Sequence, residues 1–203
     1  MDYREQALQV YINLMKVVNL RLDAIYKVQL AQEYRVPYRA NQIEFCVLQI
    51  RKILENIALG SLVVNRDLYE KHYDRLEEMW QGKKILYHME KVNPNFYPTP
   101  IVIDTSKKTH DWVPKKEGFL SKKDFENLYD KCAKMLHSES PFHAEKDVAE
   151  MYNFYEKNIS IWCEKIVRLL DAHTIHLADG KTLLLIQMCE IGGDPIGDIF
   201  EQA

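Results

Sequence analysis

The stretch TIHLADGKTLLLIQM, residues 174–188, decides how the C-terminal part of the chain folds. At its centre lies Asp179-Gly180, a preferred pair for a two-residue type I′ turn, which predicts a β-hairpin with strands over residues 174–178 and 181–188. The second strand is apolar on both faces, through Leu183, Leu184, Leu185 and Ile186. Because a lone two-stranded hairpin is only marginally stable in water, we expect other parts of the chain to cover it.

Non-helical segments before and after the hairpin can contribute to that cover. Three prolines between residues 94 and 100 force an extended path, and the β-branched run Ile101-Val102-Ile103 is predicted to add a third short strand. The polar residues 105–118 predict a long loop, within a non-helical region over 93–120. The end of the chain, residues 190–203, is predicted to dock as a tail through Ile196, Ile199 and Phe200.

The rest of the chain has the pattern of amphipathic helices, with apolar residues at three- and four-residue steps. The predicted helices span residues 3–32, 40–64, 66–79, 84–91, 121–137 and 145–171. Ser121 stands at a helix N-cap position, with Asp124 three residues later. The sequence therefore predicts a single, mainly α domain over residues 1–203. A bundle of long antiparallel helices occupies 1–172, and the hairpin (173–189) and the tail (190–203) follow it.

Composition narrows the classes of function. The 203 residues are 47% hydrophobic and 28% charged, as in a packed globular domain, and the net charge of −3 gives no general attraction to nucleic acid or anionic lipid. The four cysteines form no CxxC pair and suit a reducing compartment, so we expect a cytoplasmic protein without a metal cluster. A polar N-terminus, the lack of an apolar run of membrane length and the lack of nucleotide-binding motifs predict no membrane contact and no cofactor.

Three charged residues of the second predicted helix, Glu44, Arg51 and Glu55, fall at steps of seven and four beside its apolar face. Charges that close to a core must be paired, because an isolated buried charge is costly. The three predict a polar network inside the bundle. It is either a functional site or a set of structural salt bridges between helices, and networks of this kind often serve packing alone.

The helix predicted over 121–137 ends with Lys131 and His137, a basic residue and a histidine separated by five residues. A helical bundle with such a helix resembles the HEPN superfamily, which occurs in toxin–antitoxin, abortive-infection and CRISPR-associated proteins. The family pattern is an arginine, four to six residues and a histidine, and the active members are metal-independent ribonucleases. The resemblance covers residues 1–172. It implies that Lys131 and His137 bind phosphate and serve in acid–base catalysis.

The chain departs from the family pattern at Lys131, because lysine lacks the planar, bidentate contact with phosphate that arginine makes. Arg66 and His72 have the residue types and spacing of the pattern, but they lie on the third predicted helix, earlier than the family places them. Each pair also has a structural interpretation. His137 can interact with the last carbonyls of its helix, and Arg66 and His72 can lie on a solvated helix face.

The region from residue 107 to 123 holds six lysines, interleaved with His110 and Trp112. Lysines can contact a nucleic-acid backbone while an aromatic side chain stacks on a base. This composition predicts a nucleic-acid site formed by Lys107, Lys108, Trp112, Lys115 and Lys116. A mobile solvated loop would have the same composition.

Three hypotheses of function follow from these patterns. The first is a non-catalytic helical interaction module, acting as a homo-oligomer or with a protein partner in a bacterial defence or toxin–antitoxin-like assembly. Its hairpin and tail are suited to extending the sheet of a partner. The second is a HEPN-like, metal-independent ribonuclease acting on RNA. The third is a nucleic-acid-binding module that uses the lysine-rich loop without catalysis.

Overall fold

A computed structural model describes residues 3–29, 36–66, 70, 81–104, 111–137, 148–177, 179–190 and 193–201. The helices are α1 (Tyr3–Gln29), α2 (Arg39–Val64), α3 (Gly82–Val92), α4 (Lys122–Leu136) and α5 (Val148–Leu170). The strands are β1 (Thr99–Asp104), β2 (Asp111–Pro114), β3 (Ala172–His176), β4 (Thr182–Gln187) and β5 (Ile196–Glu201). This is the predicted mainly α fold with C-terminal strands. The helix predicted over 66–79 lies almost wholly outside the described residues.

Helices α1 and α2 form an antiparallel pair. The Tyr3 hydroxyl donates to the carbonyl of Val63 at 3.5 Å near one end, and Gln42 donates to the carbonyl of Val28 at 2.7 Å near the other. Their facing apolar residues are fully buried, as the three- and four-residue periodicity predicts. Helices α3, α4 and α5 pack against α2 and share the core of this pair. None of the described helices combines the length and the hydropathy needed to cross a membrane.

The start of α4 shows how local sequence sets a helix boundary. The Ser121 hydroxyl accepts a hydrogen bond from the backbone N–H of Asp124 at 3.1 Å, so the predicted N-cap is confirmed. Gly82 is the first residue of α3. Its backbone N–H donates to the hydroxyl of Tyr129 at 3.1 Å, which satisfies one of the free donors of the helix end.

The strands form a five-stranded antiparallel sheet in the order β2-β1-β3-β4-β5. The predicted hairpin is β3–β4, and the predicted third strand is part of β1, which joins β3 through Thr99 and Pro100. The loop predicted over 105–118 is wrong for residues 111–114, because pairing with β1 makes them strand β2. The tail docks as strand β5, which pairs with β4 along its whole length.

The sheet is strongly curled, and this curl covers both faces of the predicted hairpin. Leu184 and Ile186 belong to the core shared with the helices. On the other face, Trp112 of β2 and Phe200 of β5 pack with ring centroids 4.7 Å apart, although β2 and β5 are opposite edges of the sheet. The β1–β2 hairpin must therefore fold over this face, where Leu183 lies opposite Phe200 and is buried.

The turn between β3 and β4 lies where the sequence predicts it, but its type differs. Leu177 donates its N–H to the carbonyl of Thr182 at 2.9 Å, so the connection is four residues long rather than two. A type I′ turn needs positive φ at both central residues, whereas Gly180 has φ 68° and Asp179 does not have a positive φ. The Asp179 carboxylate instead accepts from the N–H groups of Lys181 and Thr182 at 2.9 and 2.8 Å.

Helix α1 also holds the last strand. A Cβ placed on Gly197 of β5 would lie 2.9 Å from Cδ1 of Leu8 and 3.3 Å from Cδ1 of Ile12, so the missing side chain allows β5 to approach the helix closely. Arg4 adds an ion pair to Glu201 at 2.5 Å. The first described helix and the last described strand are therefore packed against each other.

Candidate interaction surfaces

Two members of the predicted polar network meet between the helices. Arg51 Nε donates to Glu55 Oε1 at 3.1 Å, and both side chains are largely shielded from solvent, with exposed fractions of 16% and 14%. The guanidinium also lies over the ring of Tyr129, 3.4 Å from its centroid, and donates to the Tyr129 carbonyl at 3.3 Å. These contacts join α2 to α4. The charged groups of Arg51 and Glu55 therefore take part in the packing between the two helices.

Glu44 has a different partner. Its Oε1 accepts a hydrogen bond from the Tyr152 hydroxyl of α5 at 2.5 Å. This bond, followed by burial, raises the pKa of Tyr152 to about 12, so the phenol stays protonated and donates. Glu44 therefore joins α2 to α5, while Arg51 and Glu55 join α2 to α4.

The structure does not bring Lys131 and His137 onto one side of α4. Six positions on an α-helix turn by about 240°, so the two side chains point in different directions. The Lys131 ammonium lies 6.0 Å from the ring centroid of Phe154 on α5. His137 follows the last residue of α4 as its exposed C-cap and donates its backbone N–H to the Ala133 carbonyl at 3.2 Å.

The second candidate pair, Arg66 and His72, is described only at Arg66. Arg66 Nε pairs with Glu70 Oε1 at 2.6 Å, one helical turn further on, and both side chains are exposed. His72 lies outside the described residues. The exposed Arg66–Glu70 contact agrees with the structural interpretation of Arg66, in which it lies on a solvated helix face.

The predicted nucleic-acid site has its described residues already engaged, except at Lys116. Trp112 is half-buried and makes an edge-to-face contact with Phe200, with the ring centroids 4.7 Å apart. Lys115 is 13% exposed, forms an ion pair with Asp171 and donates to the Arg168 carbonyl at 3.1 Å. Lys107 and Lys108 lie outside the described residues.

His173 is a buried polar residue that the sequence does not single out. Its Nδ1 is 2.9 Å from the carbonyl of Leu170, which can only accept, so Nδ1 carries the proton. Its Nε2 therefore accepts from the Tyr11 hydroxyl at 2.8 Å. Burial lowers the pKa of His173 to about 4, which keeps the imidazole neutral at pH 7. The side chain ties α1 to the sheet, and both of its nitrogens are engaged.

Comparisons with known proteins add no relative. No protein-family model, no curated protein and no solved structure matches this chain. The relation to the HEPN superfamily stays a prediction from the sequence. Among the described residues, no group of three or more His, Cys, Asp or Glu side chains is placed to hold a metal ion. Exposed surfaces are therefore the best guide to function.

The outer side of the α1–α2 pair is unusually apolar. We call it the α1–α2 face; it consists of Val10, Leu14, Val17 and Leu20 of α1 and of Phe45, Leu48, Leu59 and Val63 of α2. The α1 set recurs at three- and four-residue steps, whereas the α2 set consists of two short runs on one side of the helix, Phe45–Leu48 and Leu59–Val63, eleven residues apart. Val10, Val17, Leu20 and Leu48 are 44%, 38%, 50% and 41% exposed.

The two stripes are continuous with each other. Arg21, one turn beyond Val17, donates to Gln49 Oε1 at 2.6 Å, and Gln49 lies one turn beyond Phe45. Gln6, Asn13, Gln49 and Asn56 are uncharged polar positions among the apolar ones, whereas Lys52 places a charge in the middle of the α2 stripe and pairs with Glu55 at 2.9 Å. A low density of charge around exposed apolar side chains is typical of the centre of a protein–protein interface.

Proposed function

We propose that the chain is a non-catalytic interaction module that forms a homodimer through the α1–α2 face. The observation that carries this proposal is the row of exposed apolar side chains on the outer side of α1 and α2, with Lys52 between the two apolar runs of α2. Soluble monomers rarely leave such a patch open to water. The engagement of Arg51, Glu55 and His173 in packing, and the divergence of Lys131 from His137, support a role without catalysis.

The size of the face suits a dimer. The α2 stripe runs from Phe45 to Val63, which is about 27 Å of helix, and two helices side by side are about 20 Å wide. Each copy then contributes roughly 550 Å², and two copies bury roughly 1,100 Å², above the roughly 1,000 Å² expected of a specific interface. A two-fold axis through the face would pair α1 and α2 with their copies in a four-helix arrangement.

The same proposal includes a cellular setting. The resemblance to the HEPN superfamily supports a subunit of a bacterial defence or toxin–antitoxin-like assembly. A cytoplasmic location is supported by the cysteines, since Cys46, Cys132, Cys163 and Cys189 are all free thiols. Cys189 is exposed, unlike the buried Cys46 and Cys132, and a reducing compartment would keep it from forming disulfides.

The first testable prediction concerns mass in solution. Size-exclusion chromatography with light scattering, over a series of protein concentrations, should give twice the chain mass of 24.0 kDa. Val17→Glu and Leu48→Glu each place a charge within the face and should weaken dimerisation by about a hundredfold or more, because an unpaired charge would be desolvated. Both side chains are already partly exposed in one copy, so the fold should persist.

Val102→Glu is the matched control, because Val102 is 53% exposed on β1, away from α1 and α2. This variant should dimerise like the unchanged chain. A chain that is monomeric at every concentration would contradict the proposal. So would a dimer that tolerates both Val17→Glu and Leu48→Glu.

A further inference from the structure

A groove between α4 and α5 contains a small pocket of about 230 Å³. Its apolar walls and charged rim come from Leu120, Leu128 and Trp162 and from Asp124, Lys131 and Lys165. Pockets that enclose small-molecule ligands are usually larger, from about 300 Å³ upward. The pocket therefore suits a single large apolar side chain better than a cofactor.

Exposed apolar side chains continue from the pocket along α5. Phe154 is 44% exposed, and its ring lies 6.1 Å from that of the buried Trp162. Ile161 is 50% exposed and lies two turns further along the same side of α5. The groove thus combines a small open pocket, lined by apolar and charged side chains, with an exposed apolar strip.

The charge around the groove is positive. Asp124 on the rim is neutralised by Lys165, at 3.0 Å, and Asp130 on α4 is paired with Lys83. Lys131 and Lys134 form no ion pair within the part of the chain that the structure describes. Among the described residues, these two cations therefore border the apolar strip without a counter-charge, on a chain whose net charge is −3.

We infer that this groove is a second docking site, for an acidic peptide segment of a protein partner. One large apolar side chain of the segment fills the pocket against Trp162, and carboxylates before or after it pair with Lys131 and Lys134. The unpaired cations carry the charge complementarity. A nucleic acid fits less well, because Asp124 lies on the rim and the Trp162 ring is almost fully buried, at 8% exposure.

The inference does not depend on the dimer, because the groove lies on α4 and α5. The test uses the full chain and two libraries of eight-residue peptides displayed on beads, each with a central Leu, Phe or Trp. One library has Asp and Glu around the centre, and the other has Lys and Arg. The chain should enrich the acidic library, and fluorescence polarisation of enriched, labelled peptides gives their dissociation constants.

Charge-reversal variants distinguish binding at the groove from non-specific electrostatic attraction. The double variant Lys131→Glu/Lys134→Glu should lose about tenfold or more in affinity for the acidic peptides and should enrich the basic library instead. The matched control, Lys84→Glu/Lys181→Glu, makes the same change of net charge at exposed positions on α3 and in the β3–β4 turn, away from α4 and α5. It should bind the acidic peptides like the unchanged chain.

Several outcomes would overturn the inference. They are enrichment of neither library, equal binding of acidic and basic peptides, and acidic binding that Lys131→Glu/Lys134→Glu leaves unchanged. A labelled twelve-residue oligouridylate provides the nucleic-acid arm. If it binds, is lost in the double variant and the peptides do not bind, the groove belongs to nucleic acid and the inference fails.

Discussion

At the scale of single residues, the buried pair of Tyr11 and His173 is the clearest case of a titratable group used for structure. The imidazole is fully buried and its two nitrogens are bonded to Tyr11 and to the Leu170 carbonyl. Burial lowers its pKa, so charging it in the folded state is costly. The pair therefore makes the stability of the fold depend on pH.

The second prediction follows from this shift. An unfolded histidine binds its proton near pH 6.5, whereas folded His173 has a pKa of about 4. The unfolded state therefore binds more protons between these values, and the free energy of unfolding should fall by about 3 kcal/mol as pH drops from about 6.5 to about 4. Urea unfolding at pH 7.0 and pH 4.5 measures it.

His173→Gln provides the control, because an amide can donate and accept but does not titrate. The variant should be less stable at pH 7 and should show a flatter pH dependence over this interval. An equally steep dependence in His173→Gln would assign the effect to other groups.

Tyr38 carries backbone strain at the entry to α2. It has φ 66° and ψ 132°, a region that side-chain-bearing residues rarely adopt, and it makes no side-chain capping bond. Its ring is 81% exposed, so packing does not compensate for the strain.

The third prediction is that Tyr38→Gly stabilises the protein. Glycine adopts positive φ freely. The free energy gained by removing the strain should exceed the cost of glycine's greater entropy in the unfolded chain, so the free energy of unfolding should rise by about 1 kcal/mol. Thermal unfolding measures the gain. Tyr38→Ala removes the ring but keeps Cβ, so it should give no such increase. Equal stability of the glycine and alanine variants would contradict the claim that positive φ strains the backbone at Tyr38.

At the scale of elements, the β3–β4 connection depends on Asp179 more than on turn type. Its carboxylate accepts from two backbone N–H groups and, at 2.6 Å, from the Thr182 hydroxyl. Burial would raise the pKa of Asp179, but the hydrogen bonds from Thr182 and Lys181 outweigh it and hold that pKa below its usual range. This contribution is present above about pH 4 and is lost as pH falls through the folded-state pKa.

The fourth prediction is that Asp179→Ala lowers the free energy of unfolding by about 1 to 2 kcal/mol, since two N–H donors and a hydroxyl lose their acceptor. Asp179→Asn keeps one acceptor oxygen for the N–H groups and should lose less. Thermal unfolding of both variants tests it. A loss in Asp179→Asn as large as in Asp179→Ala would show that the charge matters more than the turn bonds.

The elements also show what the sequence can predict. The helices were predictable because periodicity and caps such as Ser121 are local. The position of the β3–β4 turn was predictable for the same reason. Strand β2 was not, because four residues ending in Pro114 become a strand only through pairing with β1. The type of the turn likewise depends on Leu177 pairing with Thr182.

At the scale of the whole molecule, candidate sites were harder to predict than elements. Spacing places Glu44 and Arg51 on one stripe of α2. In the structure, however, Glu44 bonds to Tyr152 on α5, whereas Arg51 bonds to Tyr129 on α4. Trp112 looked free to stack because its contact with Phe200 joins residues 88 positions apart. The α4–α5 groove likewise needs two helices to meet. The spacing of residues along one helix does not indicate which other helix packs beside it.

The two proposed surfaces use different helices, so they can act at the same time. The α1–α2 face would join two copies, and each copy would present its own α4–α5 groove. A dimer would then hold two acidic segments at once, and linking two such segments raises their effective concentration at the second site.

The packing of β5 against α1 also shapes how the chain folds as it is synthesised. Gly197 meets Leu8 and Ile12, and Glu201 meets Arg4, so the side of α1 that faces the sheet gains its cover last. During synthesis α1 and α2 can pack together well before β5 is made. Leu8 and Ile12, on the side of α1 that faces the sheet, stay uncovered until residues 196–201 leave the exit tunnel.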